Sequence, residues 1–131
     1  MLLVNARSEQ TIASDVELAL TRTERREGLL GQDSLDVSAA LVISPCWAIH
    51  TAFMRFAIDV IFVDREGRAV RIAHELPPWR IAVARRAHAA IELAAGSLRV
   101  RDVRIGDKLY LVPPAPPVSQ NPAGFWPDEN A

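Results

Sequence analysis

The chain has 131 residues, half of them hydrophobic and 24% charged, which suits one packed core. Its net charge of −1 argues against a protein whose work is to grip nucleic acid, where a basic face is expected. No apolar run approaches the ~18 residues of a membrane helix, and the single cysteine, Cys46, excludes an intrachain disulfide or a multi-cysteine zinc site.

Residues 1–7 hold Leu2, Leu3 and Val4 and predict a first strand. Residues 1–5 are too short, and too soon followed by Arg7 and Glu9, for a signal peptide, so a cytoplasmic location is expected. Val16, Leu18 and Leu20 then alternate with Glu17 and Ala19, the period of a half-buried strand. Thr21 and Glu24 have the spacing of a capping box, in which the Thr hydroxyl accepts from an amide three residues on while Glu24 reaches back. The helix they start is short, because Gly28 and Gly31 bracket Leu29 and Leu30, and Gly31 suits its left-handed end.

Residues 39–43 are apolar up to Pro45 and predict a strand. The strongest strand signal is Ile58 to Val63, closed by the turn Asp64-Arg65-Glu66-Gly67 and followed by a return strand over 69–76 that Pro77 and Pro78 halt. Residues 89–93 predict another strand, Gly96 opens a brief turn or helical segment, and Gly106-Asp107 leads into a last strand over 108–112. Short strands at even intervals predict a mostly β fold, a compact antiparallel β-sandwich or barrel with one or two short helices, in preference to a βαβ layout. The domain is expected over 1–112. Residues 113–131, with six prolines among Ser, Asn and acidic residues, predict a Pro-rich flexible tail that could engage a partner in an assembly role.

Several motifs occur in one order: Gly28-Leu29-Leu30, His50-Thr51 with Met54, Ile58-Asp59-Val60-Ile61-Phe62-Val63-Asp64 with Gly67, Ile91-Glu92-Leu93 with Gly96, and Gly106-Asp107. In this order and spacing, over residues 16–112, the chain resembles the bacterial and archaeal family known as domain of unknown function 192. The resemblance implies a compact, mostly antiparallel β domain and carries no activity with it. Many relatives in that family have a leader or lipoprotein segment, which is not carried over. Where they have a Trp-Met-Lys-Asn-like stretch, this chain has Phe53-Met54-Arg55-Phe56.

Reactive residue types are densest between Cys46 and Asp59. Asp59 shares a strand face with Ile61 and Val63, while Ile58, Val60 and Phe62 line the other, so its carboxylate is carried into an apolar setting. A buried charge costs several kcal/mol unless it is hydrogen-bonded or paired. Arg55, Arg71 or backbone amides could satisfy it in a structural role; in a functional role it would anchor a ligand. Cys46, His50 and Asp59 could also form a nucleophile, base and orienting group, as in a hydrolase, or three zinc ligands with an open position. Against that stands the usual fate of a free Cys as a small buried hydrophobe. Glu92, between Ile91 and Leu93, could face solvent or the Asp59 pocket.

Gly28 and Gly31 lack the Lys and Ser/Thr of a phosphate loop, no Gly-x-Ser-x-Gly elbow is present, and no cofactor or resident metal is expected. Arg80, Arg85, Arg86 and His88 beside Trp79 suit a solvated loop face. The favoured expectation is a non-catalytic binding module for a small polar ligand or peptide, without nucleic acid or membrane partners. Its pocket would involve Trp47, His50, Thr51, Met54 and Asp59. Oligomeric state is not encoded in any feature above.

Overall fold

The structure is a computed structural model that describes residues 1–114. The expectation of a Pro-rich tail that binds a partner falls, beyond Pro114, outside the described residues.

Strands dominate, as the sequence predicts. A central five-stranded sheet has the order β3-β4-β9-β6-β7, where β3 is Asp15–Ala19, β4 Ala39–Ile43, β9 Ala89–Ala94, β6 Ile58–Val63 and β7 Ala69–Leu76. β6 and β9 are buried along their whole length, because both faces of this sheet are covered. One face packs on a three-stranded sheet made of β10 (Leu109–Val112), β1 (Leu2–Asn5) and β2 (Thr11–Ala13), and on α2 (Ser97–Val100). Leu3, Ile12, Ile61, Leu93, Leu98 and Leu109 fill that interface. The other face carries Leu41, Ile43, Val60, Phe62 and Ala90 against Leu29 and a two-stranded ribbon, β5 (Ala48–His50) paired with β8 (Ile81–Val83). The layers do not close into a barrel.

Two departures from the predicted layout have local causes. β3 and β4 pair parallel, because α1 (Arg22–Glu27) and the loop after it return the chain across the sheet face, a βαβ connection the strand pattern did not suggest. The helix starts as predicted: Thr21 Oγ1 accepts from the Glu24 amide at 3.1 Å, and Glu24 accepts from the Thr21 amide at 3.0 Å. It ends three residues earlier than Gly31, at Gly28, whose φ of +46° no L side chain adopts comfortably. The β6–β7 hairpin turns through Asp64, whose Oδ1 accepts from the amides of Glu66 and Arg68 at 2.9 Å each. Gly67 is required there, because a Cβ would lie 2.4 Å from the Leu109 carbonyl oxygen. Asn5, Arg7 and the Arg104 amide converge on buried Asp107, tying β1 to the turn before β10; the Arg7 guanidinium is the main reason its carboxyl is pulled down to about 2.

Candidate functional site

Asp59 is fully buried, as its strand neighbours predict, and its partners define its role. Opposite it, β7 holds one residue too many: Ile58 pairs with Leu76 and Val60 with Ala73, which is a bulge. Glu75, in that bulge, has a φ of +49°, and its amide turns onto Asp59 Oδ1 at 2.7 Å. Oδ2 accepts from the Leu98 amide at 2.9 Å, in the first turn of α2. The residue capping α2 is Gly96, which has no side chain to offer, so Asp59 supplies from a distant strand the acceptor that a helix start needs. Backbone amides, and neither Arg55 nor Arg71, satisfy this carboxylate.

Thr51 is likewise buried and structural. Its hydroxyl donates to the Pro77 carbonyl at 2.6 Å and accepts from the Arg80 amide at 2.9 Å, clamping the end of β5 to the segment before β8. Beside this clamp Phe53 and Trp79 stack edge to face with centroids 4.7 Å apart, both largely exposed.

The other predicted residues meet elsewhere. A cleft of about 480 Å³ opens on the second face of the central sheet, within the ~300–1,000 Å³ usual for small-molecule sites. The Cys46 to His50 segment forms one wall, with Trp47 half-exposed and His50 exposed, and Met54 closes the apolar end with Leu29. α1 forms the opposite rim with Arg22, Arg25 and Arg26, which at spacings of three and four residues share one helix face. Trp47, His50, Met54 and Cys46 are therefore brought together; Thr51 and Asp59 are not among the lining residues. Because residues alternate across a strand, Asp59 belongs to the opposite face of the sheet. The combination of Cys46, His50 and Asp59 as nucleophile, base and orienting group is not assembled. Among the described residues no three of His, Cys, Asp and Glu converge as metal ligands.

Glu92 is the residue the sequence left undecided. It stands across from Val60 on one side and Leu41 on the other, so it faces the cleft and away from Asp59. Only 4% of it is exposed, and among the described residues no hydrogen bond or ion pair reaches its carboxyl. Burial pushes its pKa up to about 7. The signal that could have found it is the one that found Asp59, an acid inside an otherwise apolar strand. Burial also pushes the Cys46 thiol above its ordinary value; Glu92 adds to this, while the thiol's contact with Ala48 and nearby Arg25 oppose it. Such a thiol is the reverse of an activated nucleophile.

A family model described as Uncharacterized ACR, DUF192, matches residues 3–111. The chain belongs to the DUF192 family. It is similar to two UPF0127 proteins, one from Pyrococcus abyssi and one from Pyrococcus furiosus. They are 44% identical over 62 residues and 38% over 63, each match taking in 47% of this chain. The chain spans about half the length of these curated relatives, 52% and 53%. The fold is similar to a crystal structure of a Novosphingobium aromaticivorans protein of unknown function, with a TM-score of 0.75 and 20% identity. That match covers 85% of this chain and 84% of the other. A Sinorhizobium meliloti protein, described provisionally as a transcription regulator, gives a TM-score of 0.72 at 22% identity over 83% and 89%. At these identities the likeness concerns the fold. Among the described residues no helix is long and apolar enough to cross a membrane.

Proposed function

We propose that this DUF192 protein is a non-catalytic binding module that takes a small polar ligand or the end of a peptide in the cleft between α1 and β5. One observation carries the reading: Glu92 lines the cleft with only 4% of its surface exposed, and among the described residues no hydrogen-bond or ion-pair partner meets its carboxyl, although a polar group this buried normally finds one. A ligand that hydrogen-bonds to it recovers what burial costs. Apolar surface from Leu29 and Met54 beside the charged groups of α1 and Glu92 suits a ligand with both apolar and polar parts. A hydrolase is disfavoured, since the thiol is raised and its orienting acid lies across the sheet.

A screen of small polar molecules and short peptides, read by amide NMR shifts, tests this. Binders are expected to move resonances of Leu29, His50 and Glu92 together. Absence of any binder, or binders that map only elsewhere on the surface, would overturn it.

A further inference from the structure

The cleft has two chemically opposite ends. At its base stands Glu92, a lone carboxyl on an apolar sheet face. At its rim stand Arg22, Arg25 and Arg26, and among the described residues none of the three is paired with a carboxylate. Arg25 spends one donor on the Leu20 carbonyl at 2.7 Å, which fixes its stem and leaves the rest of its guanidinium free. The remaining ionisable groups lining the cleft are Glu27 beside the arginines, Cys46 and His50. None supplies a second anion near Glu92 to satisfy a cation, nor a fixed cation to neutralise it.

Resting on the cleft as a binding site, we propose that its ligand is a small zwitterion, with an ammonium seated on Glu92 and a carboxylate held by the arginine rim of α1. A ligand ammonium offers a lone carboxylate three donors and a compact charge that fits a narrow buried site. A carboxylate matches the planar fork of a guanidinium. A ligand with only one of the two groups leaves the other end of the cleft unanswered. Free amino acids, ω-amino acids and short peptides with free ends belong to this class. The contact is reversible and no bond is made or broken.

The test is calorimetry and amide NMR on the full chain at about pH 7. The probes are γ-aminobutyrate, δ-aminovalerate, ε-aminocaproate and triglycine, with valerate and pentylamine as one-ended controls. At least one zwitterion is expected to bind in the cleft at least about tenfold more tightly than either control, the usual return on a charge-assisted hydrogen bond. Glu92→Gln is expected to abolish that advantage over valerate, and Arg25→Gln combined with Arg26→Gln to abolish the advantage over pentylamine. Because the ammonium favours ionised Glu92, which titrates at about 7, binding should release about half a proton per ligand, read from buffers of different ionisation enthalpy. Glu92→Gln should release none. Equal binding of valerate and δ-aminovalerate, or undiminished zwitterion binding by Glu92→Gln, overturns the proposal while the cleft stands as a binding site. If these probes leave the cleft resonances still while the broader screen moves them, the zwitterion is wrong and the cleft survives. If neither moves them, both readings fall.

Discussion

Asp59 and Glu92 sit on neighbouring antiparallel strands, one residue out of step, each an acid inside an apolar run and each almost wholly buried. They point to opposite faces of the sheet and have opposite fates. Asp59 receives two amides, one from a bulge and one from a helix start that has no cap of its own. Glu92 receives nothing from the described residues and lines a cleft. Burial of an acid therefore does not mark a site; the decisive quantity is whether the surrounding protein already satisfies it. Asp59 is a keystone of the fold, whereas among the described residues nothing meets the Glu92 carboxyl.

The largest effect that sharpens this contrast is the loss of Asp59. Asp59→Ala leaves the Glu75 and Leu98 amides without acceptors inside the protein, at about 1–3 kcal/mol each, and opens a small void as well. Urea unfolding should show a loss of about 3–5 kcal/mol, with the start of α2 and the β7 bulge losing amide protection first. Asp59→Asn keeps one acceptor oxygen but sets an NH₂ against an amide, and should fall between the alanine variant and the native protein. A loss under about 1 kcal/mol for the alanine variant would break the comparison, because Asp59 would then not be holding those amides.

Glu92→Gln should act in the opposite sense and depend on pH. The folded carboxyl titrates at about 7, above its ordinary value of 4.5, because burial disfavours its charge. The folded state thus holds a proton that the unfolded state releases between those values. The stability this group contributes is fully present below about pH 4.5 and is lost as the pH rises through about 7, a fall on the order of 3 kcal/mol. Glutamine keeps the shape and does not titrate. The difference in unfolding free energy between Glu92→Gln and the native protein, followed from pH 4 to pH 8.5, should swing in favour of the variant by about that amount. A flat difference would mean that water or a partner already satisfies the ionised carboxylate, and the contrast with Asp59 would disappear.

Much of this frame was legible in the residues. The acid-bearing strand β6, its hairpin through Asp64 and Gly67, and the Thr21 capping box are local signals, and local chemistry realises them. The β5–β8 ribbon was not legible. Each of its strands buries one residue, Ile49 or Ala82, while Ala48, His50, Ile81 and Val83 stay at least partly exposed, so no alternation longer than three residues exists to be seen. The site was half legible for a related reason. Alternation along β6 and β9 fixes which residues share a face, but not which face meets a second sheet and which meets a helix with a gap beneath it. Cys46, Trp47, His50 and Met54, from the stretch where reactive types are dense, do line one cleft. Asp59 was assigned to the same pocket because a strand has two sides and the sequence does not say what covers each. Nothing in the sequence marks Arg22, Arg25 and Arg26 of α1, because their place at the cleft rim depends on how the helix lies over the sheet.

The smallest predicted effect tests whether the cleft behaves as one electrostatic unit. Cys46 is half-buried, its thiol lies against the Ala48 carbonyl at 3.1 Å, and burial together with the Glu92 charge holds it protonated. Since the thiolate is the reacting species, native Cys46 should be alkylated by iodoacetamide at about pH 7.5 more slowly than free cysteine. Removing the negative charge in Glu92→Gln lowers the thiol's pKa and should speed alkylation a few-fold, whereas Asp59→Asn, across the sheet, should leave the rate of the folded protein unchanged. The opposite pattern, with Asp59→Asn altering the rate and Glu92→Gln not, would place the wrong acid beside the thiol. A thiol faster than free cysteine would restore the nucleophile that the Cys46 environment argues against, and the cleft would then have to be read as a reaction site.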